Sequence, residues 1–260
     1  SYTHAGAAGP ITIQQTHIYT SSKPITVYTA VVTATNSEGT LTATTPVTIT
    51  RDCWAGIEGD GTDYDVVQDA IDAAPSGALV KVAGTCEKLP GQDQVVYITK
   101  SLTLRGGYPY TLSGTDPLTY PTTLDALEAG RGLYVRNYMT TTDITVTVEN
   151  LRIIRGQNPG NVTEGGGVYV ASSALTLTNV TITNCTATGY GGGLFTQDSI
   201  LHVLDSAISH NSTGTSGGGM TLWLSNTVYV DNTLFQKNAV TAAGGDQGGG
   251  GIFLHDSGHL

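Results

Sequence analysis

Asp205 and Asp231 stand 26 positions apart and are the carboxylate pair best placed to do chemistry. Carboxylates held side by side can bind a divalent cation such as Ca²⁺. At a suitable separation they can instead share acid and base duties across a glycosidic bond. Arg152, Arg155 and Lys237 fall nearby along the same strand set and supply cationic groups. The plainer reading is that both Asp residues sit at repeat corners and that the three cations are solvated surface charges. His202, His210, His255 and His259 are scattered, and surface histidine accounts for each. There is no nucleophile triad, phosphate loop or zinc spacing. The glycine runs lack a following Lys-Ser/Thr, so they read as corners rather than phosphate cradles. No metal or cofactor is expected, with Ca²⁺ as the one alternative.

A second candidate surface is aromatic. By the parity of a strand, Tyr169, Phe195, Thr221 and Phe253 take equivalent outward positions, with Trp223 and His255 two residues further on. An exposed strip of this kind stacks sugar rings or packs against another protein. Cover by loops of the same chain is the competing reading.

The elements that position these residues form a repeat. Gly165-Gly166-Gly167-Val168 returns as Gly191-Gly192-Gly193-Leu194, Gly217-Gly218-Gly219-Met220 and Gly249-Gly250-Gly251-Ile252, in steps of 26, 26 and 32. The long last step places an insertion near residues 244–247. Two further strands align in each turn. Val146, Leu175, Leu201 and Val228 form one aliphatic column, and Ile153, Ile182, Ile208 and Phe235 another. One turn cannot bury such residues, whereas stacked turns about 4.8 Å apart can. Asn150, Asn179, Asp205 and Asn232 form a polar ladder at a corner, because Asn and Asp tolerate left-handed backbone.

Two segments precede the repeat. Residues 64–75 carry Val67, Ala70, Ile71 and Ala74 on one helical stripe, ended by Pro75-Ser76-Gly77, and read as a cap on the solenoid's open end. Residues 1–51 are Thr-rich and alternate with period two: Ile25–Tyr28, Val31–Thr35 and Pro46–Ile49 read as strands, with a turn at Asn36-Ser37-Glu38-Gly39. The chain is therefore divided at 1–51 and 52–260. The repeat running to Leu260 reads as cut short at its C-terminus.

Only 12 % of residues are charged, and the net charge is −10. That balance suits an extracellular all-β protein and excludes a nucleic-acid partner, which requires a basic footprint. Cys53 and Cys86 flank one segment as a candidate disulfide, and Cys185 lies inside a repeat. No apolar run is long enough to span a bilayer. Asn-x-Ser/Thr occurs at Asn161, Asn179, Asn184 and Asn211, as chance allows in an Asn- and Thr-rich chain, and the ladder residue Asn179 is expected to be enclosed.

Gln68–Ala74 followed by Val80–Thr85, then Thr122–Ala126 and Val148–Ile153, resemble the opening of pectin-lyase-like β-helices. The glycine-led turns with Asn179–Asn184 resemble bacterial surface β-helices of the polymorphic outer-membrane-protein kind. Tyr28–Thr40 resembles the last strands of an immunoglobulin-like or PKD-type sandwich. The resemblance implies an all-β chain: a right-handed parallel β-helix with three strands per turn and a short capping helix, preceded by an immunoglobulin-like segment. Lyases of this fold use Asp residues to hold Ca²⁺ and an Arg or Lys as base, roles that would fall to Asp205, Asp231, Arg152, Arg155 and Lys237. The hydrolases carry an Asp cluster with Gly-His-Gly, from which Gly258-His259-Leu260 departs at its third residue. The scaffold hosts many activities. The expectation here is a secreted or surface structural or adhesive protein that self-associates or meets other surface proteins, with strand exchange building a filament. A polysaccharide lyase or hydrolase, or a carbohydrate-binding module, is the alternative.

Overall fold

The computed structural model describes residues 25–36, 39–50, 52–137, 143–158, 163–224, 227–241 and 248–255. The insertion expected at 244–247, the turn residues Ser37 and Glu38, and Asn161, Gly258 and His259 lie outside the described residues. The chain divides into two compact units, Ser1–Arg51 and Asp52–Leu260.

In the first unit, Ile25–Asn36 and Gly39–Thr50 form an antiparallel hairpin, paired without a break from Ile25 opposite Thr50 to Asn36 opposite Gly39. The two strands expected at 25–28 and 31–35 are thus one. Thr29-Ala30 contains no turn-forming residue to interrupt the strand. Beside the turn, apolar pairs (Val32 with Ala43, Ala34 with Leu41) alternate with polar pairs (Thr33 with Thr42, Thr35 with Thr40), and further along most pairs are mixed, as Val31 with Thr44.

The second unit is a parallel β-solenoid. One sheet has six parallel strands, one per turn: Gln94–Ile98, Arg131–Arg136, Val168–Ala171, Leu194–Gln197, Met220–Trp223 and Ile252–His255. About six turns follow from that count. A second, larger sheet takes Leu102–Arg105, Thr145–Ile154, Ala174–Thr183, Ile200–Leu204 and Thr227–Asp231 in parallel register. Thr123–Asp125, Ala207–Ser209 and Leu234–Gln236 extend it beyond a corner.

A third sheet of two-residue strands, Thr186–Ala187, Ser212–Thr213 and Ala239–Val240, corrects the expectation of three strands per turn. The turn from Leu194 holds four: Leu194–Gln197, Ile200–Leu204, Ala207–Ser209 and Ser212–Thr213. Two residues carry no readable alternation. Their place is set instead by the glycines, since a Cβ on Gly192 would overlap the Ser212 carbonyl. The middle glycine of each run is there for close backbone approach.

The interior is the aliphatic column read from the repeat. Val146, Leu175, Leu201 and Val228 are buried in register, as are Ile153, Ile182 and Ile208. Each such side chain contributes about 1.5–3 kcal/mol.

The first turn is closed by Cys53–Ile57, antiparallel to Leu79–Glu87, and by helix α1, Val67–Ala73. Val67, Ala70, Ile71 and Ala74 are buried. The helix is shorter than the expected 64–75. At its start Tyr64 is drawn into a strand pair with Ala55. At its end Ala74 is extended, the backbone a residue before proline prefers. Cys53 and Cys86 are disulfide-bonded, and Cys185 is free and buried. Among the described residues no helix is long and apolar enough to cross a membrane.

Candidate functional site

The second sheet positions the carboxylates and cations. Leu204 pairs with Asp231, so the residue level with Asp205 is Asn232 and not Asp231. The Asp205 backbone N–H donates to the Asp231 carbonyl at 3.2 Å, and Asn232 Nδ2 donates to Asp205 Oδ1 at 2.6 Å. On the preceding turns Asn179 Nδ2 donates to Asn150 Oδ1 at 2.8 Å. All four ladder residues have left-handed backbone, with φ of 57° at Asn150, 52° at Asn179, 49° at Asp205 and 43° at Asn232. Asp205 is therefore occupied as a ladder residue.

The cations do not converge on it. Arg152 is level with Thr181, Ala207 and Leu234. It therefore lies two strands, about 9.6 Å, from the turn of Asp205. Arg155 and Lys237 occupy the same corner of different turns, three strands or about 14 Å apart. Arg155 Nε donates to Asp125 Oδ1 at 2.8 Å, and its Nη2 donates to Oδ2 at 2.5 Å. That hydrogen-bonded partner holds the guanidinium pKa above its ordinary value. A base must reach its proton within hydrogen-bond distance, directly or through one water. The five residues are not brought into one site. Among the described residues no three His, Cys, Asp or Glu side chains form a group able to hold a metal ion.

The glycine-led sheet positions the aromatic strip. Tyr169, Phe195, Thr221 and Phe253 are level, and the column continues backwards through Tyr134 and Tyr97. Ring centroids are 5.1 Å apart for Tyr97 and Tyr134, 5.0 Å for Tyr134 and Tyr169, and 5.2 Å for Tyr169 and Phe195. At the turn where Thr221 supplies no ring, Tyr190 packs edge-on against Trp223 at 4.7 Å, and Trp223 stacks on His255 at 3.7 Å. Phe195 is only 3 % exposed, and Tyr169, Trp223 and Phe253 are half-buried. Burial raises the Tyr169 hydroxyl pKa above its ordinary value. Sugar stacking needs an open ring face, whereas Tyr169 and Phe195 use faces on each other.

Tyr97, Tyr134 and Tyr190 were not read from the sequence, nor was Arg131. One signal was available: Gly132-Leu133-Tyr134-Val135 repeats Gly167-Val168-Tyr169-Val170. Longer early turns hide it. Arg131 is level with Gly166 and is buried. Its Nε donates to the Gly165 carbonyl at 2.9 Å and its Nη2 to the Glu164 carbonyl at 2.7 Å. The guanidinium lies 5.0 Å from the Tyr169 ring centroid and 5.5 Å from that of Tyr134. Burial lowers its pKa, and the two rings favour the cation.

A second ladder, also unread, runs inside the solenoid. The Cys185 backbone N–H donates to Asn211 Oδ1 at 2.9 Å, and the Asn211 N–H donates to Asn238 Oδ1 at 3.0 Å. Asn211 Nδ2 donates to the Ile182 carbonyl at 3.1 Å. Asn211 is 1 % exposed, so its sequon is closed to a glycan, while the ladder residue Asn179, expected to be enclosed, is exposed. Burial pushes the Cys185 thiol up to about 12, leaving it inert as a nucleophile.

At the capped end a cleft of about 430 Å³ lies between α1 and the turn after Leu79–Glu87. The disulfide and five carboxylates line it: Asp52, Asp65, Asp69, Asp72 and Glu87. A scan against family models, a search of curated proteins and a search of solved structures each return no match.

Proposed function

We propose that the chain is a structural or adhesive module of the cell surface or extracellular space. In this reading a right-handed, pectin-lyase-like β-helix forms a stalk, and residues 1–51 are part of an immunoglobulin-like or PKD-like domain. The observation that carries it is how the reactive side chains are used. Asp205 is held by Asn232, Arg155 by Asp125, and Phe195 by Tyr169, each within the solenoid's own repeat. The disulfide and the sparse charge favour an oxidising compartment.

Self-association is the proposed mode of action. Among the described residues the Ile25–Asn36 and Gly39–Thr50 pair has no third strand. A two-stranded hairpin is marginal alone and accepts a strand along either edge. Light scattering over a concentration series should show growing assemblies, and Val31→Pro should suppress them by removing an edge donor. A monomer at every concentration would overturn the reading. A rise in ultraviolet absorbance on incubation with polygalacturonate and Ca²⁺ would replace it with the lyase.

A further inference from the structure

We propose that Asn184 is an N-glycan acceptor, at a sequon whose modification the finished solenoid accommodates. The inference shares with the reading above only the oxidising, secretory compartment that the disulfide favours.

Asn184-Cys185-Thr186 lies at the corner that follows Ala174–Thr183. Asn184 and Thr186 are exposed, and Cys185 between them is buried. The fold demands neither of the two outward residues. Arg155, His210 and Lys237 fill the corner of Asn184 on other turns, all with left-handed backbone. Gln157, Ser212 and Ala239 fill the place of Thr186. A ladder asparagine needs an amide or carboxylate level with it, as Asn179 has in Asn150 and Asn232 has in Asp205. Asn184 is level with Arg155 and His210 instead, and Arg155 is held by Asp125. An asparagine followed at the second place by a hydroxyl is the acceptor pattern of the secretory route, and it belongs on a surface.

Transfer joins Asn184 Nδ2 to C1 of the sugar. The bond from C1 to the phosphate of a sugar-diphosphate donor breaks, its electron pair leaves on the phosphate oxygen, and one amide proton passes to a base on the transferase. Cys185 and Thr186 are built into the solenoid wall, so transfer precedes closure of this turn. Folding then sorts the modified chains. Asn211 Nδ2 donates to both the Ile182 carbonyl and Asn238 Oδ1, and Thr213 of the same sequon is buried. A sugar on Asn211 would displace one of these bonds and enter the interior. On Asn184 it leaves from an exposed side chain and stays in solvent beside the corner.

The test expresses the whole chain behind a cleavable signal peptide in eukaryotic secretory cells. Peptide-N-glycosidase F in heavy-oxygen water converts each occupied Asn to labelled Asp, and peptide mass mapping is done on secreted and retained chains separately. Most secreted chains should carry label at Asn184 and none at Asn211, whose label should be confined to retained chains. Thr186→Val should abolish the Asn184 label without lowering secretion, since Ala239 serves at that place on another turn. Thr186→Ser, which keeps a hydroxyl, should restore the label. If little is secreted, the same comparison is made between thermolysin-resistant and thermolysin-sensitive chains. Folded chains without label at Asn184, or with label at Asn211, would overturn the proposal. So would an Asn184 label that survives Thr186→Val. A monomer labelled at Asn184 would sink the self-association reading and leave this one standing.

Discussion

The turns up to Arg155 and those after Gly165 build the same solenoid with different means. In the early turns, individually placed groups hold the structure. These are the disulfide, the ion pairs of Lys81 with Glu58 and Arg105 with Glu149, the Arg155–Asp125 pair, and Arg131 in the place of a glycine. After Gly165 the same tasks are repeated turn by turn: glycine for close approach, Asn or Asp at the corner, Asn inside. A solenoid's stability is roughly a sum of turn and neighbour terms. Damage should therefore be local in the first region and should propagate through the ladder in the second.

The largest effect should come from the early region. Replacing Cys53 and Cys86 together by Ser opens a loop of 33 residues and should cost about 2–5 kcal/mol. Hydrogen exchange should rise first in Cys53–Ile57 and α1, while the glycine-led strands stay protected. Uniform loss of protection along the chain would show that the capped end and the repeats are one cooperative unit. A smaller effect is expected from Asn211→Ala in the later region. It orphans the Cys185 N–H and the Ile182 carbonyl, at about 1–3 kcal/mol. Urea unfolding should find this cost, with exchange rising on the turns either side of Asn211. An effect below that of the exposed Asn179→Ala would contradict the internal ladder.

This contrast also decides what the sequence made legible. Columns are readable where successive turns repeat similar residues at nearly the same spacing. The glycine runs, the Val146 and Ile153 columns and the Asn150 ladder meet that condition. The corner of Arg155, Asn184, His210 and Lys237 does not. All four have left-handed backbone, with φ of 52°, 55°, 56° and 53°. Two of them, Arg155 and Lys237, are residue types with no preference for it, so at Arg155 the neighbouring turn helps to hold it, with the Glu128 N–H donating to the Arg155 carbonyl at 2.8 Å. Tyr97 and Tyr134 were hidden for the opposite reason. Their chemistry matches Tyr169, but the turns joining them are 37 and 35 residues long rather than 26. Alignment by a fixed period passes over them. The lyase grouping failed on register: Asp205 and Asp231 share a repeat spacing but not a level, because the step from the one turn to the next is 27 positions at that strand.

The smallest effect separates the two regions by pH. Cys185 belongs to the inner ladder, and burial raises its thiol from an ordinary 9.0 to about 12. Between those values the unfolded chain releases the proton and the folded chain keeps it. The folded state then binds more protons, so stability falls as pH rises. The contribution is full below about pH 9 and is lost on the way to pH 12. Tyr110 and Tyr169 are shifted in the same direction by burial, so the wild-type curve alone would mix the three groups. Cys185→Ala isolates the thiol. Its denaturation midpoint should lie below that of the wild type at pH 7, and the gap should narrow by pH 10.5. The Cys53→Ser/Cys86→Ser variant, which keeps Cys185, should track the wild-type slope across the same interval. A constant gap for Cys185→Ala would mean that the thiol meets solvent before the chain unfolds, and that the inner ladder opens as locally as the capped end.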